Sequence, residues 1–378
     1  MATYYSITDG NWNANATWST SSSGSAGSAF PEAGDIAFIE GGHNVTLVRD
    51  EACGAVSISG ATLTGGGNKI TTNAATSNKP VNHDGTIAGI LDIEVTNSGT
   101  GAVAANGWLI DASGTNNIRN LTINLTSGTA SHNTIEFSPG FSLDGNLTIT
   151  NGTLQGYNGT LALTIAGDVL VENGGTLGRS PGSSNEPKTA SDTFRSLTVD
   201  SGGTAYLGSG VTKITGSRAA DAYGLDLKDG TVEHNNGTVR YEGAGGTQLN
   251  FADTHIYNLE LNVTSSGGSG ITLYGDESNS VTINNNFTME NGSGVGILVP
   301  LSSTGYEFTV RNNMYMKYFD RTVNENMQFG YNQTCTGTWT VEGTLSLLNA
   351  NEKVRIRATS GTFNLGGLIN DGGRIDSQ

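Results

Sequence analysis

Nine times between Leu121 and Val341 the chain repeats one short phrase: an apolar residue, a Thr or acid, a second apolar residue, then Gly or Asn within a few positions. The copies are LTI at Leu121, Leu147 and Leu163, LTV at Leu197, LDL at Leu225, LEL at Leu259, VTI at Val281, FTV at Phe308 and WTV at Trp339. Alternation at every second residue sends successive side chains to opposite faces of a strand, so each phrase buries one face and wets the other. No window of a dozen residues keeps the helical spacing without a Gly or an Asn-Gly pair breaking it, which makes the chain all-β. Successive copies start 16 to 34 positions apart, about 27 on average, in the range where a self-similar period signals stacked structural repeats. A propeller requires longer, more even blades, and a sandwich does not repeat one triplet nine times. The expected architecture is a single-stranded right-handed parallel β-helix, a solenoid whose turns lengthen freely on one face.

That architecture accounts for the composition. Rungs about 4.8 Å apart stack inward residues as aliphatic ladders and leave Thr, Asn and Asp outside. Between Asn146 and Leu177 the inward set is then Leu147, Ile149, Leu154, Leu163, Ile165, Val169, Val171 and Leu177. The 55 glycines and the many Asn residues supply turns with positive φ, and runs such as Asn284, Asn285 and Asn286 can stack as amide ladders between coils. The formal charge of −16, from 18 Lys and Arg against 34 Asp and Glu, argues against nucleic acid as a partner, because phosphate binding needs clustered cations. No apolar run approaches the roughly 18 residues of a membrane span, so no membrane insertion is expected. The start MATYYSITDGNW has neither the basic region nor the apolar centre of an export signal. Cys53 and Cys335 show no metal-site or disulfide-framework spacing. The N-x-T triplets at Asn120, Asn146 and Asn262 match glycosylation acceptors and read as strand and turn chemistry.

Residues 1–45 read as an N-terminal capping and attachment segment, with Trp12, Trp18 and Phe30 available to cover the first coil, and residues 46–378 as the β-helix. The stretch DGNWNANATWS, followed by FPEAGDIAFIEGGHNVTLVRDEACGAVSISGATL, resembles the opening of bacterial and phage surface β-helix proteins and the G8-like module of extracellular proteins. The resemblance covers about 65 residues and rests on a Gly-x-Trp, a Thr-Trp-Ser, Pro31 with Gly34-Asp35, and Gly42-His43 before VTL. It implies a scaffold role for Asp35 and His43. A surface protein of this kind that starts without an export signal is most simply a virion component, assembled in the host cytoplasm and released by lysis. The last residues, GTFNLGGLINDGGRIDSQ, still read as a coil, which points to another chain or subunit covering them.

Signals for chemistry are sparse. Gly178-Arg179-Ser180-Pro181-Gly182 matches a nucleophile elbow in spelling, but Pro181 lacks the N–H that would complete its oxyanion hole. The five His residues are scattered, and no metal, nucleotide or other cofactor motif is present, so no cofactor and no metal ligand is expected. A carbohydrate hydrolase would need two carboxylates about 5 to 10 Å apart, which stacked coils could supply through pairs such as Asp226, Asp229 and Glu233. A lyase acting on an anionic sugar would need cations beside its base, which the dispersed Lys and Arg supply poorly. The stretch from Tyr306 to Tyr331 concentrates aromatics and three of the five Met residues. Alternation puts Met314, Met316 and Tyr318 on one side and Tyr315, Lys317 and Phe319 on the other. Tyr315, Lys317, Phe319 and Arg321 are therefore the candidates for a subunit or glycan contact, against the plainer reading of an enlarged core coil. No catalytic residue is assigned.

The reading that follows is a non-enzymatic structural protein on the outside of a phage particle, as head decoration, fibre or tail spike, with adhesion to host surface polysaccharide. Its partners are itself, as a homo-oligomer that is a trimer in the proteins it resembles, and other virion proteins. A β-helix polysaccharide lyase or glycoside hydrolase and a bacterial surface adhesin, both extracellular, are the alternatives.

Overall fold

The computed structural model describes residues 1–73, 79–97, 108–112, 117–126, 133–137, 141–156, 162–178, 180, 190–227, 230–251, 255–265, 271–275, 280–291, 298–299, 304–318, 327–329, 336–348, 354–358, 362–372 and 374–377. Among the described residues the chain is all-β, with long parallel sheets of many strands, and a short 3-10 turn at Asn15–Thr17 is the one helical element. The chain divides into two compact units, Met1–Thr189 with Gly202–Thr204, and Ala190–Ser201 with Ala205–Gln378.

In the first unit three ladders of parallel strands recur. One runs through Thr3–Ser6, Ile36–Ile39, Ala55–Ile58, Val81–His83, Trp108–Ala112, Thr134–Phe137, the second half of Leu147–Gly156, and Gly175–Leu177. A second joins Gly10–Asn11, Asn44–Thr46, Thr62–Thr64 and Thr86–Ala88. The third joins Glu51–Ala52, Lys69–Asn73, Leu91–Asn97, Ile118–Leu125, the first half of Leu147–Gly156, and Thr164–Val171. The chain visits them in one order, Ala55–Ile58, Thr62–Thr64 and Lys69–Asn73, and then Val81–His83, Thr86–Ala88 and Leu91–Asn97.

Register turns this order into a core. Ile93, Leu121, Leu147 and Val169 are successive partners, as are Val95, Ile123, Ile149 and Val171, and all eight are at most 2% exposed. Every member of the inward set between Leu147 and Leu177 is buried. The middle residues of the triplets point the other way, as alternation requires. Thr198 is the exception at 2% exposure, on a strand buried on both faces. The loose sequence period also has a geometric cause. Leu147 pairs with Val169, and Ile165 with Leu143, so the triplets at 147 and 163 occupy different places along one ladder rather than equivalent positions.

At the N-terminus, Trp18–Ser19 pairs antiparallel with Thr3–Ser6, while the latter pairs parallel with Ile36–Ile39. Trp12 and Trp18 are fully buried, with ring centroids 5.1 Å apart at 70°. Both indole N–H groups donate to carbonyls, Trp12 Nε1 to Pro31 at 3.1 Å and Trp18 Nε1 to Trp12 at 2.6 Å, which is what burial of an indole demands. Phe30 is half-buried. The strand Asn44–Thr46 spans position 45, where the sequence reading places the end of the capping segment, and Thr3–Ser6 is already a rung of the first ladder. Asp35 accepts from the backbone of Ala2 at 2.6 Å, and Ser6 Oγ lies 3.0 Å from His43 Nδ1. Asp35 and His43 thus make contacts that hold the first strand in place.

The second unit repeats the plan. A long ladder joins the start of Asp192–Val199 to Val211–Ile214, Thr238–Ala244, Asn258–Ser265, Phe287–Asn291, Met314–Tyr318, the second half of Thr336–Leu348 and the end of Thr362–Asn370. Shorter ladders join Tyr223–Asp226, Gln248–Asn250 and Thr272–Tyr274, and Ser280–Ile283, Thr304–Val310, the first half of Thr336–Leu348 and the start of Thr362–Asn370. A further ladder runs through Leu298–Val299, Met327–Phe329, Val354–Ala358 and Arg374–Ser377. Leu259, Phe287, Met314 and Leu345 form one buried column. Phe308 and Trp339 are partners in another, their rings 5.9 Å apart, and Phe363 follows 5.5 Å from Trp339. On Thr362–Asn370, Leu368 and Ile369 are 48% and 55% exposed. Between Thr231–Glu233 and Thr238–Ala244 the chain turns through Asn235 and Asn236, both at positive φ, a conformation that Asn tolerates better than most residues.

Candidate functional site

The outward faces carry the chemistry, and in-register stacking dictates much of it. Residues on adjacent rungs sit about 4.8 Å apart, so an acid on one rung meets a base on the next without any loop to position it. Lys69 pairs with Glu94 at 2.7 Å and Arg119 with Asp92 at 2.6 Å in the first unit. Lys213 pairs with Glu242 at 2.9 Å, Arg240 with Glu260 at 2.5 Å and Lys317 with Glu290 at 3.0 Å in the second. The hydrogen bond that Lys69 donates to Glu94 holds the pKa of its amine above the ordinary value. Amides do the same without charge. Asn285 Nδ2 donates to Asn258 Oδ1 at 3.0 Å, and Asn312 Nδ2 donates to Asn285 Oδ1 at 2.8 Å.

Of the residues singled out by sequence, Tyr315 and Lys317 lie on Met314–Tyr318, half-buried and outward, while Met314 and Met316 are in the core. Lys317 Nζ sits 6.0 Å from the centre of the Tyr315 ring and is ion-paired with Glu290, so the strip presents a neutralised cation. Phe319 and Arg321 lie outside the described residues, as does the side chain of Tyr318. Among the candidate acids, Asp226 is half-buried and accepts from Asn250 Nδ2 at 3.1 Å, Glu233 is exposed, and Asp229 lies outside the described residues. Of Gly178 to Gly182, only Gly178 and Ser180 are described. Cys335 is likewise outside, whereas Cys53 is a buried free thiol whose pKa burial pushes far up. Among the described residues no group of three His, Cys, Asp or Glu side chains is placed to hold a metal ion, and no helix is long and apolar enough to cross a membrane.

Sequence reading missed a cleft of about 390 Å³ in the first unit, lined by Leu125, Thr126, Asn133, Asn151, Thr153, Gly152 and Gly174. It forms where the third ladder hands over to the first. Asn97, at a position that pairs with buried Leu125, turns its amide to the bend. There Oδ1 accepts from the Thr126 N–H at 2.7 Å, and Nδ2 lies 3.3 Å from Asn133 Oδ1. One rung on, Asn124 and Asn151 are partners, and Asn151 Nδ2 donates to Asn124 Oδ1 at 3.2 Å. The two glycines keep the cleft open. Both have positive φ, and a Cβ at Gly174 would stand 2.7 Å from Asn151 Oδ1, one at Gly152 2.9 Å from the Asn133 carbonyl. Among the described residues the lining is amide, hydroxyl and backbone beside Leu125, with no charged side chain. A signal was present in the chain, since Asn97, Asn124 and Asn151 recur at the average spacing of the triplets.

Comparison of the chain with protein-family models, with curated proteins and with solved structures finds no match.

Proposed function

We propose that this chain is a right-handed parallel β-helix that serves as a non-enzymatic structural protein on the exterior of a phage particle and adheres to host surface glycan. The observation that carries the scaffold reading is the cross-linking of adjacent rungs by outward side chains. Five ion pairs and the amide ladder at Asn258, Asn285 and Asn312 tie neighbouring strands together. In a stack whose every strand must hold its neighbours in register, such ties stiffen the column and leave these carboxylates committed to structure. The homo-oligomer part of the reading draws on exposed Leu368 and Ile369, since exposed apolar side chains clustered on one strand suit contact with another subunit.

Mass spectrometry of purified particles, with the protein's gene in the infecting genome, is the direct test: the chain is expected among the virion proteins. Its consistent absence there, together with depolymerisation of host capsule by the isolated protein that is lost on replacing Asp226 or Glu233, overturns the reading in favour of a carbohydrate-active enzyme. Light scattering of the isolated protein checks the oligomer, for which a trimer is the expected mass.

A further inference from the structure

We propose that the cleft between Thr126, Asn151 and Gly174 is a binding site for a neutral oligosaccharide. This rests on the surface-protein reading and gives it a site other than the Tyr315 and Lys317 strip. The volume, about 390 Å³, lies within the roughly 300 to 1,000 Å³ of small-molecule sites. Its chemistry selects the class of ligand. With no Lys or Arg among the described lining residues and a molecule of charge −16, an anionic sugar or phosphate finds no counter-charge there and meets a repulsive field. Without a carboxylate among its described residues, the lining offers a metal ion only neutral oxygens. A purely apolar ligand would strip water from the amides and return no hydrogen bond.

What the walls present are the amides of Asn133 and Asn151 and the hydroxyls of Thr126 and Thr153. The ladder bond between Asn151 Nδ2 and Asn124 Oδ1 uses one half of each amide. The Asn151 oxygen remains, with no partner among the described residues, on a residue that lines the cleft. Hydroxyl groups of a sugar donate and accept at once, so one can donate to this oxygen while its neighbours meet the other amide and hydroxyl groups of the lining. Gly174 has no Cβ to cover the Asn151 oxygen. The exposed Thr126 side chain stands at the rim, and its backbone N–H is fixed by Asn97 rather than facing a ligand.

The test is saturation-transfer NMR and calorimetry on the full chain with cellohexaose, mannohexaose, xylohexaose and chitohexaose, and with polygalacturonate as the anionic control. At least one neutral oligosaccharide is expected to bind with Kd near or below about 1 mM. Thr126→Trp fills the mouth of the cleft from an exposed position without touching the amide ladder, and Asn151→Ala removes the acceptor. Each is expected to weaken binding by about tenfold or more, whereas Tyr315→Ala and Lys317→Ala leave it unchanged. Circular dichroism on every variant separates loss of binding from loss of fold, and Thr126→Trp stands as the decisive variant if Asn151→Ala fails to fold. Binding that survives Thr126→Trp, or that Tyr315→Ala abolishes, overturns the cleft while leaving an adhesive protein standing. Absence of any neutral binding up to about 10 mM, or binding of polygalacturonate alone, overturns it outright. Detection of the chain in purified particles decides the surface-protein reading independently of either result.

Discussion

Ile149 and Thr148 are neighbours in sequence on opposite faces of one strand, so replacing each by Ala reads the stacked-core argument directly. Ile149 is fully buried and sits in register between Ile123 and Val171, themselves fully buried. Ile149→Ala removes three buried carbons, about 2.4 kcal/mol at roughly 0.8 kcal/mol each. The rungs above and below are pinned by ladder hydrogen bonds at fixed spacing and cannot close over the gap. The cavity contribution therefore stays largely unrelieved, and the total rises to about 4 kcal/mol. For a cooperative unit of this size that is a fall of roughly 8 to 16 °C in Tm. Thr148 is half-buried on the outward face, and Thr148→Ala is expected to cost about 0.5 kcal/mol, within the range of surface changes. Scanning calorimetry of the two variants beside the parent gives both numbers. Equal losses for the two, or a loss below about 1 kcal/mol for Ile149→Ala, would refute the inward column.

Asn285→Ala breaks the amide ladder on both sides at once and is expected to lower stability by about 1 to 2 kcal/mol in urea unfolding, with Asn285→Gln failing to restore it. The carboxyl of Asp221 is held below its ordinary range chiefly by its hydrogen bonds from Arg218. Because the folded form has the lower pKa, this contribution is present above the ordinary carboxylate pKa and is lost as pH falls through the folded value. In Tm profiles taken from about pH 7 to pH 2, Asp221→Asn is therefore less stable than the parent at neutral pH and converges with it in acid. Burial raises the Cys53 thiol far above its usual pKa, so in a Cys335→Ser background a thiol reagent at pH 8 is expected to label Cys53 only at the rate of unfolding.

The alternating triplets already contained the all-β class and the inward face, because which side of a strand a residue occupies follows from backbone geometry within two positions. Leu121, Leu197, Leu259 and Trp339 are buried where that rule places them. Register lay beyond it. Parallel pairing joins residues far apart in the chain through connections whose length is weakly constrained, so no local pattern tells Leu147 to meet Val169 instead of Leu163. Register in turn decided the sites. Lys317 reads as a free cation beside an aromatic strip, and only its alignment with Glu290 makes it one half of an ion pair. Asn97, Asn124 and Asn151 are conspicuous in the chain as a period, yet a cleft exists there because a third-ladder strand bends at Gly152 and brings Asn133 and Gly174 alongside. Side-chain direction is a property of the residue and its immediate neighbours, whereas a cavity is a property of segments that meet only once the strands have paired.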